Sequence, residues 1–161
     1  MAASAWKVFG VAKRKMGTAG LQLSSGVFVM ALHRTSASAN LSIGKSVTSL
    51  ITTWGSIGSE ISTSAGGLPY VAGGTTVSAA AWSVAANTST MKFYYTTTGI
   101  VFTASASTLT NVRYAVIRTS TGAANGVPIC YAALSTAQFT IAVPNTLTVL
   151  PAATGVFTLG G

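Results

Sequence analysis

The chain has 161 residues, of which 49% are hydrophobic and only 6% are charged, whereas about 25% of residues are charged in ordinary soluble domains. Nine residues are Lys or Arg and Glu60 is the only acidic one, so the net charge is +8. Most hydrolytic, phosphoryl-transfer and metal-dependent sites need converging carboxylates, or a carboxylate that orients a histidine. The composition therefore argues against an enzyme.

Length and hydropathy indicate one domain outside the membrane. A chain of this size can bury one substantial core. The mean hydropathy is +0.57, yet no stretch approaches the ~20 consecutive apolar residues of a spanning helix. Lys13, Arg14 and Lys15 interrupt the region where the apolar core of a secretory signal would lie. We therefore expect a protein made in the cytosol and left unprocessed.

The first predicted element is a short amphipathic helix over residues 2–16. Trp6, Phe9 and Met16 are spaced so that they fall near one helical face, and Gly17 is a natural stop. The basic residues 13–15 lie in the last turn, where cations suit the negative end of the helix dipole. The cluster is therefore either solvated and satisfied by the dipole, or a basic arm that docks on a partner.

The docking hypothesis divides the chain into an N-terminal helical arm, residues 1–17, and a β-sandwich domain, residues 18–161. An apolar anchor with a charged rim is typical of interfaces. The residues assigned to docking are Trp6, Lys7, Phe9, Lys13, Arg14 and Lys15. On this hypothesis, deleting residues 1–16 should leave a folded domain that no longer binds its partner.

The remaining pattern is mostly that of strands. Residues 27–34 form a short apolar run, as expected of a strand covered on both faces. Apolar residues from Ile43 to Trp54 recur at three- and four-residue spacings after Ser42, which predicts a second short helix over 43–53. Further strand-like runs cover 75–84, 91–96, 100–104, 112–118, 129–134, 139–143, 146–150 and 156–159. Turn residues between these runs predict a single-domain, all-β fold, a β-sandwich or jelly roll with two short helices.

Candidate catalytic and ligand-binding residues are few. His33 ends an apolar strand, where a lone histidine is more often packed than a ligand. Cys130 lies in an apolar run and is interpreted as a structural thiol, and as the only cysteine it cannot form an internal disulfide. Glu60 is expected to form a structural ion pair with an arginine: Arg34, Arg113 or Arg118. The glycine-rich segment 66–74 lacks the Lys-Ser/Thr ending of a P-loop, and we expect no metal and no cofactor.

Aromatic residues near arginines allow two interpretations. They could form a stacking platform for single-stranded nucleic acid, or fill the core of a sandwich, where strand aromatics commonly lie. The residues considered for the platform are Tyr94, Tyr95, Tyr114 and Tyr131, near Arg113 and Arg118, and those considered for the core are Phe93, Tyr95, Tyr114 and Tyr131. We favour the core. The basic residues after Lys15 are dispersed rather than aligned in a stripe, so nucleic acid is not the expected partner.

Scarcity of charge together with a high apolar content indicates an assembly. A free monomer normally uses surface charge to stay soluble and to protect strand edges. We expect the isolated protein to oligomerise or aggregate at low salt, and its cationic excess to face acidic residues of another protein.

Several segments together resemble small virion structural proteins that are encoded widely by tailed bacteriophages and prophages. These are 13–17 (KRKMG), 21–23 (LQL), 27–36 (VFVMALHRTS), 58–61 (GSEI), 70–74 (YVAGG), 91–93 (MKF), 101–104 (VFTA), 111–117 (NVRYAVI) and 155–159 (GVFTL). The resemblance covers nearly the whole chain, and its motifs are strand and turn signatures rather than a catalytic fingerprint.

The resemblance implies a non-enzymatic, many-copy component of the virion, made in the bacterial cytoplasm. It implies a capsid decoration or cement protein that binds the major capsid protein. The protein is then expected to be a homo-oligomer, for example a trimer. Two alternatives stay open: a tail, neck or head-fibre component, and a basic DNA-binding protein inside the head. Stoichiometry relative to the major capsid protein distinguishes the first, and salt-sensitive DNA binding distinguishes the second.

Overall fold

The computed structural model has an all-β architecture: antiparallel strands form three sheets, and only two short helices occur in the described part of the chain. The structure describes residues 4–18, 20–21, 23, 27–46, 51–61, 70, 73–77, 81–84, 91–94, 99–120, 125–150 and 156–159, with the backbone alone for 81–84, 91–94 and 157–159. The predicted all-β, single-domain class is confirmed.

Every strand except the first, which falls in the predicted N-terminal helix, lies within or close to a predicted apolar run, and the run 75–84 contains two strands. In chain order the strands are β1 (Lys7–Val8), β2 (Phe28–Arg34), β3 (Thr75–Thr76), β4 (Ala81–Val84), β5 (Met91–Tyr94), β6 (Ile100–Thr103), β7 (Leu109–Thr119), β8 (Pro128–Ala133), β9 (Phe139–Ile141), β10 (Thr146–Val149) and β11 (Phe157–Leu159).

The long strand β7 is the centre of the largest sheet. The strand order is β1-β8-β7-β2-β3, and β9 pairs with the beginning of β7. Met30 of β2 lies opposite Ile117 of β7, and Leu32 opposite Ala115. Successive residues 115–117 are all buried, so both faces of β7 are covered. Burial on both faces explains why these segments read as continuous apolar runs rather than as alternating patterns.

Two smaller sheets complete the described strands. In the first, β6 and β10 pair in register from Ile100 opposite Val149 to Thr103 opposite Thr146; we call this pair the β6–β10 ribbon. In the second, β5 lies between β11 and β4. Buried Phe102 of the ribbon packs against Tyr70, with ring centroids 5.9 Å apart, so one face of the ribbon covers the core.

The N-terminal helix is shorter than predicted, because part of the segment joins the large sheet. Helix α1 spans Gly10–Gly17, whereas Lys7 and Val8 are extended and pair with Tyr131 and Cys130 of β8. The prediction of a helix over residues 2–16 is therefore wrong for residues 4–9, and residues 2 and 3 lie outside the described part. The edge of β8 provides hydrogen-bond partners for the backbone of residues 7 and 8. This long-range pairing stabilises a strand here, although the spacing of apolar residues favours a helix.

The second helix lies earlier in the chain than predicted. Helix α2 spans Ser38–Ile43, and the predicted helix over 43–53 is wrong at its start because α2 ends there. Residues 47–50 lie outside the described part, and Trp54–Ser56 form a single 3₁₀ turn. Gly44, which follows α2, approaches the Phe9 ring so closely that a Cβ there would lie 2.6 Å from Cδ1. The absence of a side chain at Gly44 therefore lets the backbone pass close to the Phe9 ring.

The N-terminal segment belongs to the core and is not a separate arm. Phe9, Val11 and Ala12 are buried with the residues of the large sheet. The Phe9 ring lies 5.3 Å from the Tyr131 ring, and its amide donates to the carbonyl of Ile129 at 2.9 Å. The division into an arm of residues 1–17 and a domain of residues 18–161 is therefore corrected: both parts share one hydrophobic core.

Candidate functional sites: the basic surface and the Glu60 cluster

The cations of the N-terminal segment lie beside a fifth cation that is distant in sequence. Lys7, Lys13 and Arg14 are exposed and Lys15 is half-buried. The Gly10 amide donates to the carbonyl of Gly44 at 2.8 Å, which brings exposed Lys45 to the start of α1. We call Lys7, Lys13, Arg14, Lys15 and Lys45 the basic surface.

The predicted apolar anchor is only partly available at this surface. Phe9 is buried, so its assignment as a docking residue is wrong, because its ring fills the space between Tyr131 and Gly44. Trp6 is half-buried and packs against the core. Ile43, which sequence reasoning placed on the apolar stripe of a helix, is instead 57% exposed, next to Gly44 and Lys45. Among the apolar residues close to these cations in sequence, Ile43 is thus exposed and Trp6 is half-buried.

The only acidic side chain is engaged away from the basic surface. Glu60 Oε1 accepts from the Tyr70 hydroxyl at 2.9 Å and from the Gly73 amide at 2.6 Å. The Tyr70 hydroxyl in turn accepts from the Leu32 amide at 3.0 Å. Burial, and then the charge of Glu60, raise the pKa of Tyr70 well above its ordinary value, so the hydroxyl remains a donor. These contacts join the loop residues 60, 70 and 73 to strand β2.

Arg118 is the arginine that interacts with Glu60, through a shared residue rather than a direct ion pair. It donates to the carbonyls of Gly73 and Thr119 at 2.8 and 2.9 Å. Its guanidinium lies 4.9 Å from the centroid of the Trp54 ring, in cation–π contact. Burial lowers the pKa of Arg118, while the negative charge of Glu60 opposes this shift. Of the three expected partners, Arg118 is thus the relevant one.

His33 is a packed residue, as predicted. Its Nδ1 lies 2.8 Å from the carbonyl of Gly58 and therefore donates, which leaves Nε2 as the unprotonated nitrogen of the neutral ring. Nε2 is buried without a hydrogen-bond partner, and the ring meets Trp54 edge-to-face with centroids 4.6 Å apart. Burial lowers the pKa of His33 from 6.5 to about 4. We call His33, Trp54, Glu60, Tyr70, Gly73 and Arg118 the Glu60 cluster.

The histidine and the cysteine, the two candidate catalytic groups, are both buried and lie far apart. Cys130 is fully buried, and burial raises the pKa of its thiol well above the ordinary value. The register places Cys130 two strands from β2 and three residues along from His33, which corresponds to a separation of roughly 14 Å. Within the described residues, no three His, Cys, Asp or Glu side chains are grouped as metal ligands would be. The hydrogen bonds of the Glu60 cluster link loop residues to strands β2 and β7.

The aromatic residues that the structure describes lie in the core rather than on a platform. Tyr114 and Tyr131 are buried and meet edge-to-face, with centroids 6.5 Å apart. The Arg113 guanidinium lies 5.2 Å from the Tyr114 ring centroid. The core interpretation is confirmed for these two tyrosines. Tyr95 lies outside the described residues, and Phe93 and Tyr94 are described by their backbone alone.

Comparisons with known proteins identified no related protein. A scan against protein-family models, a search of curated proteins and a search of solved structures each found no match to the chain. Among the helices of the described residues, none has the length and apolar character needed to cross a membrane.

Proposed function

We propose that the chain is a non-enzymatic structural protein of a tailed-phage virion, and more specifically a decoration protein that binds the major capsid protein. Three features support this: an all-β single domain, a composition with one acidic residue, and the resemblance of the sequence to small virion proteins. A protein that serves by binding in many copies needs a stable β scaffold and a complementary surface, and it needs no catalytic group.

The observation that carries the proposal is the basic surface. Five cations are gathered around α1 and the end of α2, while Glu60 is held by Tyr70 and Gly73 in the Glu60 cluster. A cationic surface of this kind attracts an acidic neighbour and steers its approach. Ile43 lies two residues before Lys45 and is exposed, and Trp6 precedes Lys7 and is half-buried, so both can supply apolar contact next to the cations.

The proposed docking residues are thus Trp6, Lys7, Lys13, Arg14, Lys15, Ile43 and Lys45, without Phe9. Long-range attraction between exposed charges is screened by salt. Binding to the capsid should therefore weaken as salt is added, mainly through slower association.

The test uses particles that lack this protein, to which purified protein is added back. Replacing Lys13, Arg14 and Lys15 together by Ala should reduce occupancy, measured by densitometry against the major capsid protein, on empty and DNA-filled heads alike. Lys45→Ala should also reduce occupancy, since Lys45 belongs to the basic surface through tertiary contact. Lys92→Ala is the matched control: it removes the same charge from β5, in a different sheet.

The same measurements separate the alternatives. Loss of binding confined to DNA-filled heads, or tight and salt-sensitive binding to free DNA at physiological salt, would favour the DNA-binding function. A copy number far below that of the major capsid protein would favour a tail, neck or fibre component. Equal loss for Lys45→Ala and Lys92→Ala would contradict docking through the basic surface.

A further inference from the structure

The outer face of the β6–β10 ribbon is an exposed surface without charge. Along β6, Ile100 and Phe102 are buried while Val101 is 50% exposed, which is the alternation of a strand with one covered face. Directly opposite residues share a face, so Val101 and Thr103 lie beside Thr148 and Thr146. Thr146 and Thr148 are exposed and Thr103 is half-buried. We call this the threonine face.

Exposed apolar side chains continue along the ribbon from one end to the other. Leu150, which follows β10, is 58% exposed, and Val143, in the turn before β10, is 43% exposed. Together with Val101 they account for three of the five large hydrophobic residues that are most exposed among the described residues. Exposed apolar groups concentrated on one element indicate an interaction surface rather than a random distribution.

The residues of the ribbon and of its turns carry no charge. No Lys, Arg, Asp or Glu occurs in residues 93–112 or 119–161, which include both strands of the ribbon and the turns beside them. The net charge of +8 is therefore carried by other parts of the chain, including the basic surface at α1. Copies of this protein repel one another through the charged parts, and they can approach most closely through the threonine face.

From these observations we propose that the threonine face of the β6–β10 ribbon binds the same face of a second copy of this chain. In a two-fold contact each residue meets the same region of the partner, so any charge near the axis would lie close to an equal charge. Such like-charge pairs destabilise a sheet contact. A neutral face of Val and Thr avoids them, and the threonine hydroxyls both donate and accept, which makes them self-complementary.

The size of the ribbon sets the strength of the contact. Four residue pairs extend over about 14 Å. A face of this length on two strands can bury an area well below the ~800 Å² per partner of a stable dimer. We therefore expect weak association of the isolated protein, with a Kd on the order of 100 μM. When copies are held side by side on a lattice, a weak contact of this kind is strengthened by the high effective concentration. The inference itself concerns the isolated chain and does not depend on the virion proposal.

The test is sedimentation velocity of the isolated protein from about 10 μM to about 1 mM, a range that brackets the expected Kd. The wild type should show reversible association. Thr148→Lys and Val101→Lys each place a charge on the threonine face and should weaken association at least about tenfold. Thr76→Lys is the matched control, because Thr76 is also an exposed strand threonine but lies on β3 of the large sheet. It should associate like the wild type.

Salt gives a readout that needs no substitution. Added salt screens the repulsion between two chains of net charge +8, so association through the neutral face should strengthen. Docking through the basic surface should weaken under the same conditions, so the two proposals can fail separately. A wild type that remains monomeric at about 1 mM, association that weakens with salt, or equal dissociation by Thr76→Lys and Thr148→Lys would each overturn the proposal.

Discussion

At the scale of single residues, the ionisable side chains of the Glu60 cluster are held by backbone groups instead of opposite charges. Glu60 accepts from the amide of Gly73, Arg118 donates to two carbonyls, and His33 donates to the carbonyl of Gly58. With one acidic side chain in the chain, direct pairs are scarce, and buried polar groups must find backbone partners. The stability of the cluster therefore depends on loop positions as much as on side chains.

Tyr70→Phe should destabilise the fold by about 1–3 kcal/mol, because it leaves the buried amide of Leu32 without its partner and removes one donor from Glu60. Chemical denaturation monitored by tryptophan fluorescence measures this loss. Tyr114→Phe is the control, since Tyr114 is also buried but its hydroxyl has no hydrogen bond among the described residues. Similar losses for both variants would show that the Tyr70 hydroxyl has no special role.

His33 should make the protein acid-sensitive. The pKa of His33 is lowered by burial from 6.5 to about 4, so the unfolded chain binds a proton at a higher pH than the folded chain does. Stability is then fully present above pH ~6.5 and falls as the pH drops towards 4, by about 3 kcal/mol in all. The physical cause is that a protonated ring would carry an unpaired buried N–H beside Trp54, on which the Arg118 cation already lies.

The measurement is the free energy of unfolding in urea at intervals from pH 7 to pH 4. His33→Asn keeps a donor for the carbonyl of Gly58 and cannot titrate in this range. Its stability should therefore vary less with pH than that of the wild type. Parallel pH curves for the two proteins would assign the acid sensitivity to another group.

At the scale of elements, the segment from β1 to α1 has two roles. Its inner side fills the core through Phe9, Val11 and Ala12, while its outer side carries Lys7, Lys13 and Arg14. An amphipathic segment on a sheet edge both covers the edge and presents charge to solvent. The proposed docking surface and the hydrophobic core therefore share this segment, and deletion of residues 1–16 should unfold the chain.

Phe9→Ala should destabilise the fold by about 3–5 kcal/mol, the usual cost of removing a fully buried aromatic ring. The lost contacts are those with Tyr131 and Gly44. Trp6→Ala, at a half-buried position of the same segment, should cost clearly less. Thermal unfolding of the two variants compares them, and a larger loss for Trp6→Ala would contradict the assignment of Phe9 to the core.

The short strand β3 depends on a glycine next to it. Gly74 has φ +92°, and a Cβ there would clash with the backbone carbonyl of Met30. Gly74→Ala should therefore disturb the pairing of β3 with β2 and destabilise the protein by about 1–3 kcal/mol. Gly17→Ala at the end of α1 is the control, since nothing lies within 4 Å of the added atom. Equal stability of the two variants by urea unfolding would show that Gly74 is not constrained.

At the scale of the whole molecule, one hydrophobic cluster joins α1, the large sheet and the β6–β10 ribbon. Charge is distributed unevenly around it, with a basic surface at α1 and an uncharged threonine face on the ribbon. Surfaces of such different character suit different partners, one acidic and one identical to the chain itself. The proposed binding of many copies side by side would use both surfaces.

Cys130 offers a measure of the stability of the whole fold. The residue is fully buried on β8, between β1 and β7, and its thiol has a raised pKa. Labelling by a thiol reagent should be slow in the native protein, and its rate should follow the free energy of global unfolding across the variants above. Complete labelling in urea is the control. Rapid labelling of the native protein would mean that β8 opens locally.

The sequence by itself determined the all-β class, the approximate position of most strands, the packed state of His33 and the burial of Cys130. These follow from local information: apolar runs of strand length, turn residues between them and the scarcity of carboxylates. It also located four of the five cations of the basic surface, because they are close together in the chain.

The tertiary structure alone decided the contacts between distant segments. Residues 7 and 8 became a strand because the edge of β8 was available, and Phe9 became a core residue because Gly44 and Tyr131 close around it. The same packing added Lys45 to the basic surface and left Ile43 exposed nearby. The hydrogen bonds from Tyr70 and Gly73 to Glu60 likewise form only when the folded chain brings these residues together. Pairing and packing depend on which surfaces meet after the chain has folded, and the periodicity of a single segment does not contain that information.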